Sequence, residues 1–235
     1  MTILTQSVRL VRRTFAGLWA QDCLLCGGQS SDRPLCAACE DDLPRLPSSH
    51  CPRCALPTPA GELCGRCLIK TPYYDATRAV YVYDFPVDRL IQSFKYGHRL
   101  ILGRYFGQQL AELAAGLTFD RVIPLPLHPL RLRQRGFNQA LELARPISRA
   151  SGAPLDTRSC RRRRSTAPQA ELAWRERARN VRGAFVCSAD LQGQRVLLVD
   201  DVMTTGTTVN ELARIVKLHG ASEVAVLVVA RALPR

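Results

Sequence analysis

The chain has 235 residues, 46% hydrophobic and 23% charged, with 15 Gly and 15 Pro in no repeating order. That composition excludes a wholly disordered, collagen-like or low-complexity chain, and no apolar run reaches the ~18 residues that a membrane-spanning helix needs. The net charge of +13 is concentrated, because residues 121–185 hold fifteen Arg against four acidic residues. Guanidinium groups gathered in this way suit a polyanion, either a phosphorylated small molecule or nucleic acid.

In residues 1–22, Leu4, Val8, Val11, Phe15, Leu18 and Trp19 recur at helical spacing. This predicts an amphipathic helix docked on the rest of the chain. Arg9, Arg12 and Arg13 break any secretory apolar core, so no signal peptide and a cytoplasmic location are expected.

Residues 23–70 carry eight of the ten cysteines, as four C-x-x-C pairs: Cys23/Cys26, Cys36/Cys39, Cys51/Cys54 and Cys64/Cys67. Two residues between thiolates let both face one ion, and four thiolates close a tetrahedral structural zinc site. Two zinc ions and a double zinc ribbon are expected. Sequential pairing, first with second and third with fourth, is the default; a cross-brace would use the same residues. Gly27, Gly28 and Gly65 suit the knuckle turns. Without a signal peptide a disulfide framework is the weaker reading. Cys160 and Cys187 read as ordinary thiols.

Residues 71–235 alternate strands and helices, which argues an α/β fold with a parallel sheet flanked by helices. Strands are expected at Arg78–Asp84, Arg121–Pro126, Arg195–Asp200 and Val224–Ala230. Helices are expected at Val87–Tyr96, Leu102–Leu117, Asn138–Ala150 and Val209–Leu218, with Gly97 and Gly103 separating the first two. Asn138 reads as a helix cap, and His128, before Pro129, as a turn residue.

The sharpest stretch is Arg195–Thr208, RVLLVDDVMTTGTT. A buried strand ends in two acids, and Thr204, Thr205, Gly206, Thr207 and Thr208 then open a helix. Free N–H groups at a helix start attract phosphate, and the hydroxyls add donors. Asp200 and Asp201 suit ribose hydroxyls or a divalent cation. The stretch has neither the G-x-x-x-x-G-K-[ST] pattern nor G-x-G-x-x-G.

VLLVDDVMTTGTT resembles the 5-phosphoribosyl 1-pyrophosphate (PRPP) motif of type I phosphoribosyltransferases. FKYGHRLILGRYFG (Phe94–Gly107), PLPLHPLRLRQRGFNQALELA (Pro124–Ala144) and APQAELAWRERARNVRGAF (Ala167–Phe185) resemble the ComF family, as does a double zinc ribbon before a transferase-like domain. The resemblance implies a type I phosphoribosyltransferase fold over residues 71–235 and binding of PRPP, or another ribose 5-phosphate, with Mg²⁺. It implies a 5′-phosphate on Thr204–Thr208, ribose on Asp200 and Asp201, a pyrophosphate loop near Leu125–His128, and a mobile Arg-rich hood over about residues 158–182. Arg131, Arg133, Arg135, Gln169, Arg175 and Arg179 are candidates for contact with pyrophosphate or nucleic acid. Some members of this family are tied to DNA uptake in natural transformation. Phosphoribosyl transfer to an acceptor that the sequence leaves open is one expectation. A non-catalytic protein that binds single-stranded DNA, or a scaffold docking a DNA-import helicase, is the alternative.

Overall fold

The computed structural model describes residues 21–164 and 181–234. The expected N-terminal helix and the hood residues Gln169, Arg175 and Arg179 lie outside them. The chain divides into two compact units, residues 1–43 and residues 44–235. The boundary falls between the two cysteine clusters, so the second cluster belongs to the unit that carries the sheet.

In the first unit the described residues form one knuckle and a short helix, α1 (Ala37–Asp41). The second unit repeats this pattern with α2 (Gly65–Ile69) and continues through β1 (Ala76–Val82), α3 (Val87–Tyr96), α4 (Leu100–Ala114) and β2 (Arg121–Pro124). Next come α5 (Pro129–Arg135), α6 (Gln139–Ser151), β3 (Cys160–Arg162), β4 (Phe185–Cys187), β5 (Arg195–Met203), α7 (Thr207–Leu218) and β6 (Glu223–Arg231).

Four strands form a parallel sheet in the order β1-β6-β5-β2, and β3 pairs antiparallel with β4. Every residue of β6 after Glu223 is buried, and so are Val196 to Val199 of β5. Continuous burial is what a central parallel strand with both faces covered requires. Val196, Leu198, Val224, Val226 and Val228 share a core with Val209, Leu212 and Val216 of α7 and with Cys51, Cys54, Cys67 and Tyr74. The second cysteine cluster therefore packs as part of the main hydrophobic core.

The elements differ from the sequence expectation most clearly at four places. Gly103 does not separate two helices; α4 runs through it, and its missing Cβ leaves room for the Phe94 ring, which a Cβ would meet at 2.8 Å. Residues Pro129–Arg135 form a helix, started by the His128 ring, which accepts the Leu130 N–H at 3.3 Å, and by Pro129 at its first position. Part of the four-Arg run is strand β3, with Cys160 opposite Cys187 in register. Strand β5 continues past both acids to Met203, held by pairing that ends at Met203 opposite Arg231. Asn138 caps α6 as expected, its side chain accepting the Ala140 N–H at 3.1 Å.

Helix α4 meets α6 where Gly107 faces Pro146. A Cβ at Gly107 would lie 2.7 Å from Pro146 Cγ and 3.2 Å from the Leu143 carbonyl oxygen. Gly107→Val is expected to force the two helices apart and cost about 1–3 kcal/mol by overpacking. Urea denaturation with an unchanged midpoint would contradict this packing.

Candidate functional site

The thiols gather as two sets, Cys23, Cys26, Cys36 and Cys39, and Cys51, Cys54, Cys64 and Cys67, with the four sulfurs of each set within 4.8 Å of one another. This is the sequential pairing. Cys26 and Cys36 sulfurs are 3.8 Å apart, and those of Cys54 and Cys64 are 3.5 Å apart. Four thiolates at ~2.3 Å around a tetrahedral zinc lie about 3.8 Å from each other, so both sets fit the ion. Such closed sites supply folding energy and leave no open position for catalysis.

The two knuckles are built alike. Cys23 N–H donates to the Gly28 carbonyl and Gly27 N–H returns to the Cys23 carbonyl, at 2.7 and 2.9 Å. Cys51 N–H donates to the Leu56 carbonyl and Ala55 N–H to the Cys51 carbonyl at the same two distances. Gly27 and Ala55 both hold positive φ, 74° and 57°. Cys36 and Cys64 each start the following short helix. Every cysteine of the first set recurs 28 positions later in the second, an internal repeat that the sequence carried and that C-x-x-C counting alone overlooks.

At the carboxyl end of β5 the loop Thr204–Gly206 leads into α7. Gly206 is the residue before the helix, with φ of 78° and no side chain to cap the first turn. The Thr205 and Thr207 hydroxyl oxygens lie 2.8 Å apart, and Thr205 Oγ1 accepts the Thr207 N–H at 3.3 Å. The helix start thus presents N–H groups, two linked hydroxyls and the positive end of the helix dipole.

Asp201 is buried and pairs with Lys95 of α3, whose Nζ is 2.6 Å from its Oδ1. Lys95 was not singled out in the sequence, because an ion pair between a helix and a distant strand leaves no local pattern. Burial alone would lower the Lys95 pKa, but Asp201 and then Asp200 outweigh it and raise it. Asp200 accepts the Asp201 N–H at 2.9 Å. Burial, then the neighbouring Asp201 charge, push the Asp200 pKa up to about 7, against the pull of Lys95 and Arg162.

Arg162 on β3 stands 5.6 Å over the Phe185 ring. Burial and then the nearby Arg131 guanidinium lower its pKa, while Asp200 opposes them. Next to it, a cavity of about 700 Å³ is lined by Pro124, His128, Phe137, Glu142, Cys160 and Arg162, among others. The expected pyrophosphate loop and the described start of the expected hood therefore share one cavity wall. The three α5 arginines diverge. Arg131 lies close enough for its charge to oppose that of Arg162, Arg133 is exposed, and Arg135 donates to Gln139 Oε1 at 2.6 Å and stacks on Tyr96 at 5.0 Å.

Residues 15–68 match the double zinc ribbon domain, and residues 138–233 match the phosphoribosyl transferase domain. The DNA utilization protein YhgH of Shigella flexneri is 36% identical over 207 residues, covering 85% of this chain and 91% of its own. The chain belongs to the ComF family. Competence protein F of Haemophilus influenzae is 30% identical to this ComF-family chain over 223 residues, covering 89% and 96% of the two. Competence protein ComFC of Streptococcus pneumoniae is 26% identical over 218 residues, covering 86% and 96%. Among the described residues no helix is long and apolar enough to cross a membrane.

The Asp200 carboxyl gives a pH expectation with a definite sign. Its folded pKa, about 7, lies above the ordinary 3.8, so its charged form is the disfavoured one in the fold. Stability tied to the neutral form is complete below pH ~4 and is lost as pH rises toward ~7. Asp200→Asn keeps the group neutral throughout. It should melt above the parent chain at pH 8, with the difference closing as pH falls to 4. A difference of the same size at pH 4 and pH 8 would contradict the assignment.

Proposed function

We propose that this chain binds PRPP, with the 5′-phosphate on Thr204–Thr208 and the ribose against Asp200 and Asp201. The observation that carries this reading is the loop itself, a left-handed Gly206 opening a helix just after a strand that carries two acids near its end, Asp201 buried and Asp200 half-buried. A dianion satisfies the first N–H groups of α7 and gains from its dipole. In that pose the ribose would extend toward the carboxylates. The phosphoribosyl transferase match, which spans the loop, supports the same ligand.

The chemistry that follows is displacement of pyrophosphate by an acceptor. As the anomeric bond breaks, positive charge grows on the ribose, and the Asp200–Asp201 pair favours that charge. Lys95, with its Nζ 2.6 Å from Asp201 Oδ1, fixes that side chain in direction. Mg²⁺ bound with PRPP would neutralise the departing pyrophosphate. The 700 Å³ cavity would take the acceptor; Arg162 lines it and its charge also acts on Asp200. Gln169, Arg175 and Arg179, outside the described residues, are further candidates for contact with the pyrophosphate. Two structural zinc ions hold the ribbons. The relatives named for DNA utilization and competence support a task in the use of incoming DNA.

A second reading rests on a separate observation. Arg161, Arg163 and Arg164 are exposed along and just after β3. This row would hold a single strand by its phosphates, with or without a helicase partner, in a sequence-tolerant way. Replacing Arg161, Arg163 and Arg164 by Ala should then flatten the salt dependence of single-strand binding, and an unchanged slope removes this reading.

The test of the main reading is calorimetry with PRPP and Mg²⁺. Binding heat is expected from the parent chain and none from Gly206→Val, since a side chain there strains a φ of 78° and its Cβ meets Tyr74 Oη at 3.1 Å. No heat and no thermal shift in the parent chain would overturn it. Release of pyrophosphate on adding bases or nucleic acids would identify the acceptor.

A further inference from the structure

The phosphate loop is fastened from behind by the second ribbon. Arg231, the last residue of β6, is 2% exposed. Its Nε donates to the carbonyl of Cys54 at 2.7 Å. Its Nη1 is shared by the carbonyls of Met203, at 2.8 Å, of Thr204, and of Ala232, at 2.7 Å. One guanidinium thus ties a cysteine knuckle to the first residue of the phosphate loop. Three further contacts run the same way. Arg66, inside the Cys64/Cys67 pair, donates to the Thr205 carbonyl at 3.5 Å. Tyr73 N–H donates to Asn210 Oδ1, in the first turn of α7, at 2.7 Å. The buried Tyr74 hydroxyl lies against Gly206.

We propose that the second cysteine cluster is a working part of the phosphate site: its metal-held knuckles set the Thr204–Thr208 loop, and Arg231 is the positioning residue between them. The argument rests on the reading of that loop as the phosphate site. The knuckles around Cys54 and Cys64 are too short to hold their own shape, so the bound metal supplies their folding energy. A carbonyl fixed in this way offers Arg231 and Arg66 rigid anchor points. Four loop and helix positions, Thr204, Thr205, Gly206 and Asn210, then inherit that rigidity before ligand arrives. Preorganised donors bind an anion more tightly because the loop is not ordered at the moment of binding. The two ribbons of one repeat therefore have different tasks. The first cluster lies in the other compact unit, while the second is built into the ligand site.

The test uses the full chain and three readouts: zinc content, PRPP·Mg²⁺ affinity by calorimetry, and hydrogen exchange at the amides of Thr205–Val209. Cys36→Ser and Cys64→Ser should each lose one of two zinc ions. Cys64→Ser should weaken PRPP about tenfold more than Cys36→Ser does, and should speed exchange at those amides where Cys36→Ser does not. Arg231→Lys and Arg66→Ala keep both zinc ions and extend the test to chains with intact clusters. Each should weaken PRPP by about threefold or more and speed the same exchange. If Cys64→Ser gives no cooperative melt, these two variants decide the matter. Equal effects of the two cysteine variants, or unchanged affinity and exchange in both arginine variants, would overturn the proposal. A parent chain that binds no PRPP overturns the ligand reading alone, and the exchange rates then decide the coupling without a ligand.

Discussion

Two adjacent carboxylates at the end of a buried strand cannot both ionise without a cation nearby. That constraint orders much of the second unit. It brings α3 to the sheet so that Lys95 can reach Asp201 at 2.6 Å. It leaves Asp200 with the larger burden, its pKa lifted by burial and by its neighbour. It also makes Arg162 useful at β3, because a guanidinium in that position lowers the cost of charging Asp200. The ion pair is close and mostly shielded from water, so its loss would strand a charge and cost more than a surface pair would.

Much of this site was legible in the sequence, and the unread parts share a cause. Cys23–Cys67 announce themselves because metal chemistry fixes ligand type and spacing together. Thr204–Thr208 stand out because a phosphate cradle, the part proposed for them, needs small polar residues and a glycine in consecutive positions. Lys95, Arg162 and Arg231 act across the fold, where only the tertiary arrangement makes them neighbours. Arg231 falls just past the strand expected at Val224–Ala230 and carries no local signal, and Arg162 reads as one of four identical residues. Helix α5 escaped because its seven residues carry too few apolar positions to set a period, and its start depends on a histidine ring. Gly103 misled in the opposite sense. It suggests a break, but here it is the contact surface of a helix, as Gly107 is one turn on.

The ribbon repeat shows how one local design serves two settings. Both knuckles use the same pair of backbone bonds and the same left-handed residue after the second cysteine, filled once by Gly27 and once by Ala55. Ala55 tolerates that backbone at some cost because it is wholly buried and its N–H is held by Cys51. Cys51, Cys54 and Cys67 are buried in the second set, while Cys23 alone is buried in the first. The difference follows from what each knuckle packs against within its own unit, and it makes the second set continuous with the core under α7.

The ring that starts α5 carries a consequence for the wall of the cavity. His128 Nδ1 accepts the Leu130 N–H, so that nitrogen must keep its lone pair and the ring proton must sit on Nε2. A side chain at position 128 with no acceptor would therefore leave the first turn of α5 without its cap. Pro126, Leu127, His128, Pro129 and Leu132 line the cavity along this turn, so the tautomer of one ring reaches the cavity wall through the backbone rather than by touching a ligand.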